Sequence, residues 1–418
     1  MEKIRIDLYQ FICCLSDALD LVSPKIHNHH QQVAYLSYRL AEQLGFSSVK
    51  CRDIVFASLI HDIGAISNIE RLEIMESEPI HVNHHALRGA RILHNFKPLR
   101  DVANIIKFHH LPWKDGAGCE YKGETVPIES HIIHLADRAC AKLQKAKPVL
   151  SQLPGLLKEI MDGKNTLYEP NLVEAFNKLG KKEYIWLDLT YTTPISRIPE
   201  IGMMDMIALD LDEVIDIAFV FSNIIDFRSS FTARHSAGVA KTAVLLAKLL
   251  SFSPYEQKLM LISGYLHDLG KLAVDSNILE KGGKLTEKEF EQVRAHTYYT
   301  YHLLEEIPQF EIIKRWAAYH HEKLNGNGYP FHLKGDVISL GSRIMAVADI
   351  FTAITEDRPY RKGMTDEKAV EILINMSKRN EIDGNVVTVL VKNFDSINEN
   401  RQEAQKQAEN RYKEFLLF

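Results

Sequence analysis

Apolar positions along the chain recur every three or four residues, and strict alternation is scarce. Leu8, Phe11, Ile12, Leu15 and Leu19 mark one face of a helix near the N-terminus. Val214, Ile217, Ala218, Phe221 and Ile225 repeat that spacing far downstream. Ser253-Pro254-Tyr255-Glu256 supplies an N-cap, a proline at the first helical position and an acid three residues after the cap. The helix it predicts carries Leu259, Ile262, Ser263 and Leu266 on one face and turns off at Gly270. Tyr184 to Tyr191 (YIWLDLTY) is the one stretch that reads as a strand pair element. The pattern predicts an all-α fold.

The helices recur because the chain repeats itself. His61-Asp62, in SLIHDIGA, and His267-Asp268, in GYLHDLGK, lie 206 residues apart. A histidine stands 32 residues before each doublet, at His29 and His235. His109-His110 and His320-His321 follow, each preceded by another histidine, His85 or His296. An aspartate in a similar apolar setting comes later in both halves, Asp137 in IIHLADRA and Asp349 in IMAVADIF. Matched landmarks in one order predict two tandem helical bundles, each of a usual domain size. Residues 1–179 form the first copy, and residues 180–206, with Pro194 and Pro199, read as a connector. Residues 207–397 form the second copy, and residues 398–418 a charged helical tail, solvated with a docked end.

Charge and composition narrow the function classes. Fifty Lys and Arg stand against 55 Asp and Glu, a net charge of −5 that argues against a partner among nucleic-acid polymers. Asp7 and Asp17 interrupt the N-terminal apolar run, so it does not read as a signal peptide. Asp210, Asp212, Glu213 and Asp216 interrupt the apolar stretch from Ile207 to Ile225, which excludes a membrane span there. Five sparse cysteines fit a reducing compartment, so a cytoplasmic location is expected. The 19 histidines change the picture most, because they are clustered.

In the second copy the set is His235, His267, Asp268, His296, His320, His321 and Asp349. A lone histidine among these would read as a core or surface residue; seven ligand types at matched spacing point to metal. Helix neighbours face about 100° apart, so His320 and His321 do not readily serve one ion. They suit two ions side by side, with Asp268 between them. Imidazole and carboxylate donors favour iron, manganese, nickel or zinc over calcium. Paired ions about 3.5–4 Å apart are a common arrangement for phosphoester cleavage.

This set resembles the HD superfamily of metal-dependent phosphohydrolases, and more narrowly the HD-GYP phosphodiesterases. The narrower resemblance rests on HDLGK at His267 to Lys271, HHEKLNGNGYP at His320 to Pro330, and ADIFTAITEDRPYR from Ala348 to Arg361. It implies two tandem HD-superfamily bundles, the second a hydrolase of cyclic dinucleotides, cyclic di-GMP or 3′,3′-cyclic GMP-AMP. The products would be a linear dinucleotide and, with further cleavage, mononucleotides. Lys271 would neutralise a phosphate oxygen, though a lysine at a helix C-terminus also suits the macrodipole. Gly328, Tyr329 and Pro330 would form a ligand-facing loop, or a structural turn. Arg358 and Arg361 would pair with a dianionic ligand, or form a solvated charge run.

The first copy keeps the corresponding residues His29, His61, Asp62, His85, His109, His110 and Asp137. It has lost the substrate apparatus: Ala65 replaces the lysine, and HHLPWKDGAG lacks Gly-Tyr-Pro. Metal-bound but silent is the first reading; an empty relic, another nucleotide hydrolase and a regulatory pocket remain open. For the whole protein, the rivals are a non-catalytic cyclic-dinucleotide sensor or scaffold and a different HD nucleotide phosphohydrolase. Pairing of the two copies within the chain and homo-oligomers are both compatible with the repeat. Family members with a third metal carry a glutamate four residues before the first ligand histidine, where this chain has Phe231. Two ions per second copy are therefore expected, and elemental analysis finding three tightly held ions there would overturn that count.

Overall fold

The computed structural model describes residues 6–21, 28–65, 70, 73–74, 83–94, 96–198, 209–226, 234–357 and 362–416. Phe231, Arg358 and Arg361 lie outside them. The chain divides into two compact units, Leu15–Met206 and Met1–Cys14 with Ile207–Leu417. The opening helix α1 (Leu8–Asp20) therefore contributes its first half to the second unit. There Phe11 stacks on Phe221 at 4.7 Å and meets Phe310 edge-on at 5.4 Å.

The first unit continues with α2 (His29–Gln43), α3 (Ser48–Leu59), α4 (Asn83–His94), α5 (Arg100–Lys107), α6 (Ile128–Lys142), α7 (Val149–Asp162), α8 (Pro170–Leu179) and α9 (Glu183–Leu189). Helix α2 packs on α3 and α6, and α4 packs on α5. Tyr35, Leu36, Phe56, Ile106, Ile133 and Phe176 fill the core between them.

The second unit repeats this order. It comprises α10 (Leu211–Asp226), α11 (His235–Leu249), α12 (Pro254–Leu266), the short α13 (Ser276–Leu279), α14 (Glu287–Glu305), α15 (Glu311–Ala318), α16 (Leu340–Thr355), α17 (Asp366–Lys378), α18 (Gly384–Lys392) and α19 (Phe394–Leu416). Helix α11 packs on α12, α16 and α19. Val239, Leu246, Ile262, Leu266, Ile344 and Phe351 are buried among them. The cap expected at Ser253 forms as a complete capping box with Glu256, and Thr286 and Glu289 make another ahead of α14.

Three expectations need correction. YIWLDLTY is not a strand: Ile185, Trp186 and Leu189 fall on one helical face and are buried, and Trp186 Nε1 donates to Leu179 O at 3.2 Å. The small sheet that does form pairs Glu120–Tyr121 with Glu124–Thr125. Lys122 and Gly123, at φ 50° and 81°, make its two-residue turn, the conformation that suits a tight hairpin. The expected connector is folded through Ile198 as part of the first unit, because polar groups of α2 reach it. Tyr35 donates to Asp188 at 2.9 Å, and Gln32 to the Leu189 carbonyl at 3.0 Å. The C-terminal helix is docked well before its end and not simply solvated, burying Arg401, Gln405 and Ala408.

One glycine in each unit sets how closely the elements approach. A Cβ on Gly270, in the turn after the His-Asp doublet, would lie 1.9 Å from the His296 carbonyl oxygen of α14. A Cβ on Gly64 would lie 2.1 Å from the His85 carbonyl. Backbone cannot yield as a flexible side chain can, so both positions need glycine. Gly270→Ala should destabilise the second unit by ~1–3 kcal/mol, whereas Gly282→Ala, with open space around its Cβ, should change little. Thermal unfolding of the two variants checks this, and equal melting shifts would refute it.

Candidate metal centres

The packing delivers each histidine from a different element. In the second unit His235 opens α11, His267 and Asp268 follow α12, His296 lies on α14, His320 and His321 follow α15, and Asp349 lies on α16. All but His321 are buried. His267 Nδ1 lies 2.8 Å from the Gly264 carbonyl, His296 Nδ1 2.5 Å from that of Val293, and His320 Nδ1 2.6 Å from that of Ala317. A carbonyl only accepts, so each Nδ1 carries the hydrogen and each Nε2 keeps its lone pair.

Those lone pairs converge. His296 Nε2 lies 3.4 Å from His320 Nε2 and 3.4 Å from Asp268 Oδ1, and His267 Nε2 lies 3.1 Å from Asp268 Oδ2. His267 Nε2 and Asp268 Oδ1 are buried with no hydrogen-bond partner. Unprotonated nitrogens facing one another at this distance repel unless a cation lies between them. His235, His267 and Asp268 offer one group of converging ligand atoms, and His296, His320 and His321 another. Asp349 contacts both groups, at 3.1 Å from His235 Nε2 and 3.8 Å from His321 Nδ1. The donor set therefore fits transition-metal ions.

The electrostatics agree at Asp268, His296 and His321, whereas at His235 burial is outweighed by Glu356 and Asp349, which raise that imidazole to about 10. Burial pushes the Asp268 carboxyl up, but His267, Lys271 and His296 overcome that and hold it well below the usual carboxylate range. Burial, reinforced by His321 and Lys271 against Asp268, lowers His296 to about 3. Burial lowers His321 to about 4 despite Asp349 and Asp268. The carboxylates are charged and the His296 and His321 imidazoles neutral near pH 7, as metal ligation requires.

Lys271 and the Gly-Tyr-Pro loop border the same place. Lys271 Nζ rests on Asp268 Oδ2 at 2.5 Å. The Tyr329 ring lies 4.9 Å from that of His321. Gly328 is required, since a Cβ there would sit 2.3 Å from the Lys323 backbone nitrogen. Pro330 follows a cis peptide bond.

Several residues with clear roles here carried no assignment from sequence. Buried Glu322, third residue of HHE, accepts from the Phe331 and Leu333 amides at 2.7 and 2.9 Å and so ties down the loop. Buried Glu356 lies 3.2 Å from His235 Nδ1 and orients that ring, and Gln405 of α19 donates to Glu356 at 3.1 Å. The Arg294 guanidinium lies over the Tyr329 ring at 4.8 Å. Glu322 and Glu356 both fall inside quoted motifs, and Arg294 precedes His296 by two residues. Their roles come from tertiary approach, which spacing does not report.

The first unit assembles its seven residues in the same way. Asp62, His85, His109 and His110 offer one buried group of ligand atoms, and His29, His61 and Asp137 another. His61 and His109 bond through Nδ1 to the Ser58 and Ile106 carbonyls, both at 2.7 Å. His85 Nε2 lies 3.1 Å from Asp62 Oδ1 and 3.3 Å from His109 Nε2. Ala65 is buried where Lys271 stands in the second unit. The Trp113 to Asp115 amides are bonded to the carbonyls of residues 165–167.

A helical unit with a buried His-Asp doublet, ringed by imidazoles from neighbouring helices, defines an HD-domain protein. The HD domain family profile matches residues 13–165 and 219–386. The 3′3′-cGAMP-specific phosphodiesterase 1 of Vibrio cholerae is 31% identical over 93% of this chain and 92% of its own length. A cyclic di-GMP phosphodiesterase of Pseudomonas aeruginosa is 39% identical over 34% of each chain. The crystal structure of a cyclic GMP-AMP specific phosphodiesterase of V. cholerae superposes with a TM-score of 0.63 at 25% identity, covering 93% of this chain and 98% of that one. The chain belongs to the HD-domain family and, with its Gly-Tyr-Pro loop, to the HD-GYP branch.

Asp268 touches His267, His296 and Lys271, so its loss disturbs more of the cluster than the loss of any one histidine. Asp268→Ala should lower metal content in elemental analysis while leaving the helical circular dichroism largely intact. Unchanged metal content would remove Asp268 from the ligand set.

Proposed function

We propose that this protein is a metal-dependent phosphodiesterase that opens a cyclic dinucleotide, with the chemistry carried out by the second unit. The observation that carries the reading is the convergence of Asp268, the surrounding imidazoles, Lys271 and the Gly-Tyr-Pro loop on one place. The substrate is 3′,3′-cyclic GMP-AMP ahead of cyclic di-GMP. Two V. cholerae relatives named for the former match along 93% and 88% of the chain and a third along 43%, whereas the cyclic di-GMP enzymes match 34 to 40% of it.

Two divalent ions, iron, manganese or nickel and less favourably zinc, would be held by His235, His267, Asp268 and Asp349 on one side and by Asp268, His296, His320 and His321 on the other. Bound there, they would supply Lewis acidity and a water of lowered pKa at the phosphodiester. The chain's own residues do the rest. Asp268 holds the two halves of the ligand set together from the centre. The Lys271 ammonium, at the edge of that carboxylate, meets the charge that grows on the phosphate oxygens as water attacks phosphorus. The P–O bond to one sugar breaks, its oxygen takes a proton, and a linear dinucleotide leaves. Tyr329, backed by Arg294, and the loop fixed by Glu322 position the substrate. Arg358 and Arg361, following the family motif, are assigned to its phosphates.

The first unit lacks the cation and the loop, and we assign it no hydrolysis. Its seven ligand-type residues are assigned to metal. No helix among the described residues is long and apolar enough to cross a membrane. No disulfide joins the five cysteines, and we place the protein in the cytoplasm.

Asp268→Ala should abolish hydrolysis of both cyclic dinucleotides, and Asp62→Ala in the first unit should keep it. Hydrolysis lost equally in both variants would show that the first unit takes part in the reaction. Lys271→Ala should keep its metal and turn over ~100- to 1000-fold more slowly. A fall in metal content with an unchanged rate per bound metal would make Lys271 structural instead.

A further inference from the structure

The units differ at one buried position beside the first ligand histidine. His30 follows His29 in the first unit, and Ser236 follows His235 in the second. An aspartate waits at the matching place in each, Asp20 or Asp226. The Ser236 hydroxyl donates to Asp226 Oδ1 at 2.7 Å, so it is already committed.

His30 makes the same contact with one ring nitrogen and has another to offer. Its Nδ1 lies 2.5 Å from Asp20 Oδ1. An ionised carboxylate only accepts, so Nδ1 carries the hydrogen and Nε2 holds the lone pair. That Nε2 is buried with no hydrogen-bond partner, as is His61 Nε2. His30, His61 and Asp62 bring ligand atoms within 4.8 Å of one another. Asp20, His30 and this corner of the site reproduce the carboxylate–histidine–metal arrangement, in which the outer carboxylate fixes the ring and raises its basicity.

Asp137 is also held differently from its counterpart. Its Oδ1 lies 2.9 Å from His29 Nε2, as Asp349 Oδ1 lies 3.1 Å from His235 Nε2, but its Oδ2 accepts from Arg138 Nε and Nη2 at 3.0 and 2.7 Å. The residue after Asp349 is Ile350, and Asp349 Oδ2 is turned towards His321 instead.

We propose that the first unit holds a closed metal centre, in which His30 Nε2, oriented by Asp20, is an additional ligand. It takes a coordination position that Ser236 leaves open in the second unit. Metal sites filled by protein ligands are structural, whereas catalytic sites keep a position for water or substrate. The extra imidazole, the Arg138 cap on Asp137 and the missing lysine all move the first site in the closed direction. The proposal rests on the reading that the first unit's ligand set holds metal.

The test uses the full chain loaded with zinc(II), in an Asp268→Ala background that weakens the second site. Metal per chain is measured by elemental analysis, and its release to excess chelator is followed in time. The Asp268→Ala protein should retain metal that leaves slowly. Adding His30→Ser or Asp20→Asn should speed release at least about 10-fold, as loss of a ligand or of its orienting partner does. Circular dichroism confirms folding, and Asp20→Asn, which keeps the imidazole, carries the same expectation if His30→Ser does not fold. Retained metal with an unchanged release rate in the folded variants would overturn the role of His30. Asp268→Ala protein that binds no metal at all would overturn the underlying reading of the first unit.

Discussion

A hydrogen bond from imidazole Nδ1 to a carbonyl three residues earlier is the contact on which both sites depend. His267, His296 and His320 make it in the second unit, and His61 and His109 in the first. Each bond fixes a tautomer and a ring orientation at once, leaving Nε2 as the only lone pair and aiming it inward. The inward nitrogens then meet one another and a central carboxylate in a nearly dry interior. A buried polar atom left without a partner costs about 1–3 kcal/mol, and several such atoms lie side by side here. A fold that concentrates this cost in one place is stabilised by whatever cation binds there.

Close helix approach is the second condition. Gly270 and Gly64 let the turn after each His-Asp doublet lie directly on the helix bearing His296 or His85. The carboxylate of the doublet can then reach an imidazole from a helix distant in sequence. The outer contacts extend further still: Glu356 steadies His235, and Gln405 of the C-terminal helix holds Glu356. A charged tail thus becomes part of the support for a ligand.

The helical class, the cap at Ser253 and the two His/Asp clusters could be read from the sequence because each depends on local spacing or on a repeat. His29, His61, Asp62, His85, His109, His110 and Asp137 matched their partners in order, and that order reflects the same helices packing twice. What escaped has a common physical basis. YIWLDLTY mixes aromatic and aliphatic residues that suit a strand or a buried helical face equally, and only packing against the first unit decides. Glu322, Glu356 and Arg294 act through contacts made by folding, so their spacing carries no periodic signal. His30 was hidden by its neighbour: two adjacent histidines look like one landmark when only one has a counterpart.

The repeat also separates what metal binding requires from what catalysis requires. Both units keep seven ligand-type residues, so the ligand set alone does not distinguish them. They diverge in the groups that would meet a phosphodiester: Lys271 against Ala65, and a loop pinned by Glu322 against backbone bonded to residues 165–167. They diverge again at Ser236 and His30, where one unit ends in a hydroxyl already engaged and the other adds a donor. A duplicated domain that held an ion and needed no turnover would gain stability from any change that completed the coordination of that ion. The same change in the second unit would occupy the position that water must enter. On the proposed division into one reactive and one structural copy, equivalent residues meet opposite demands.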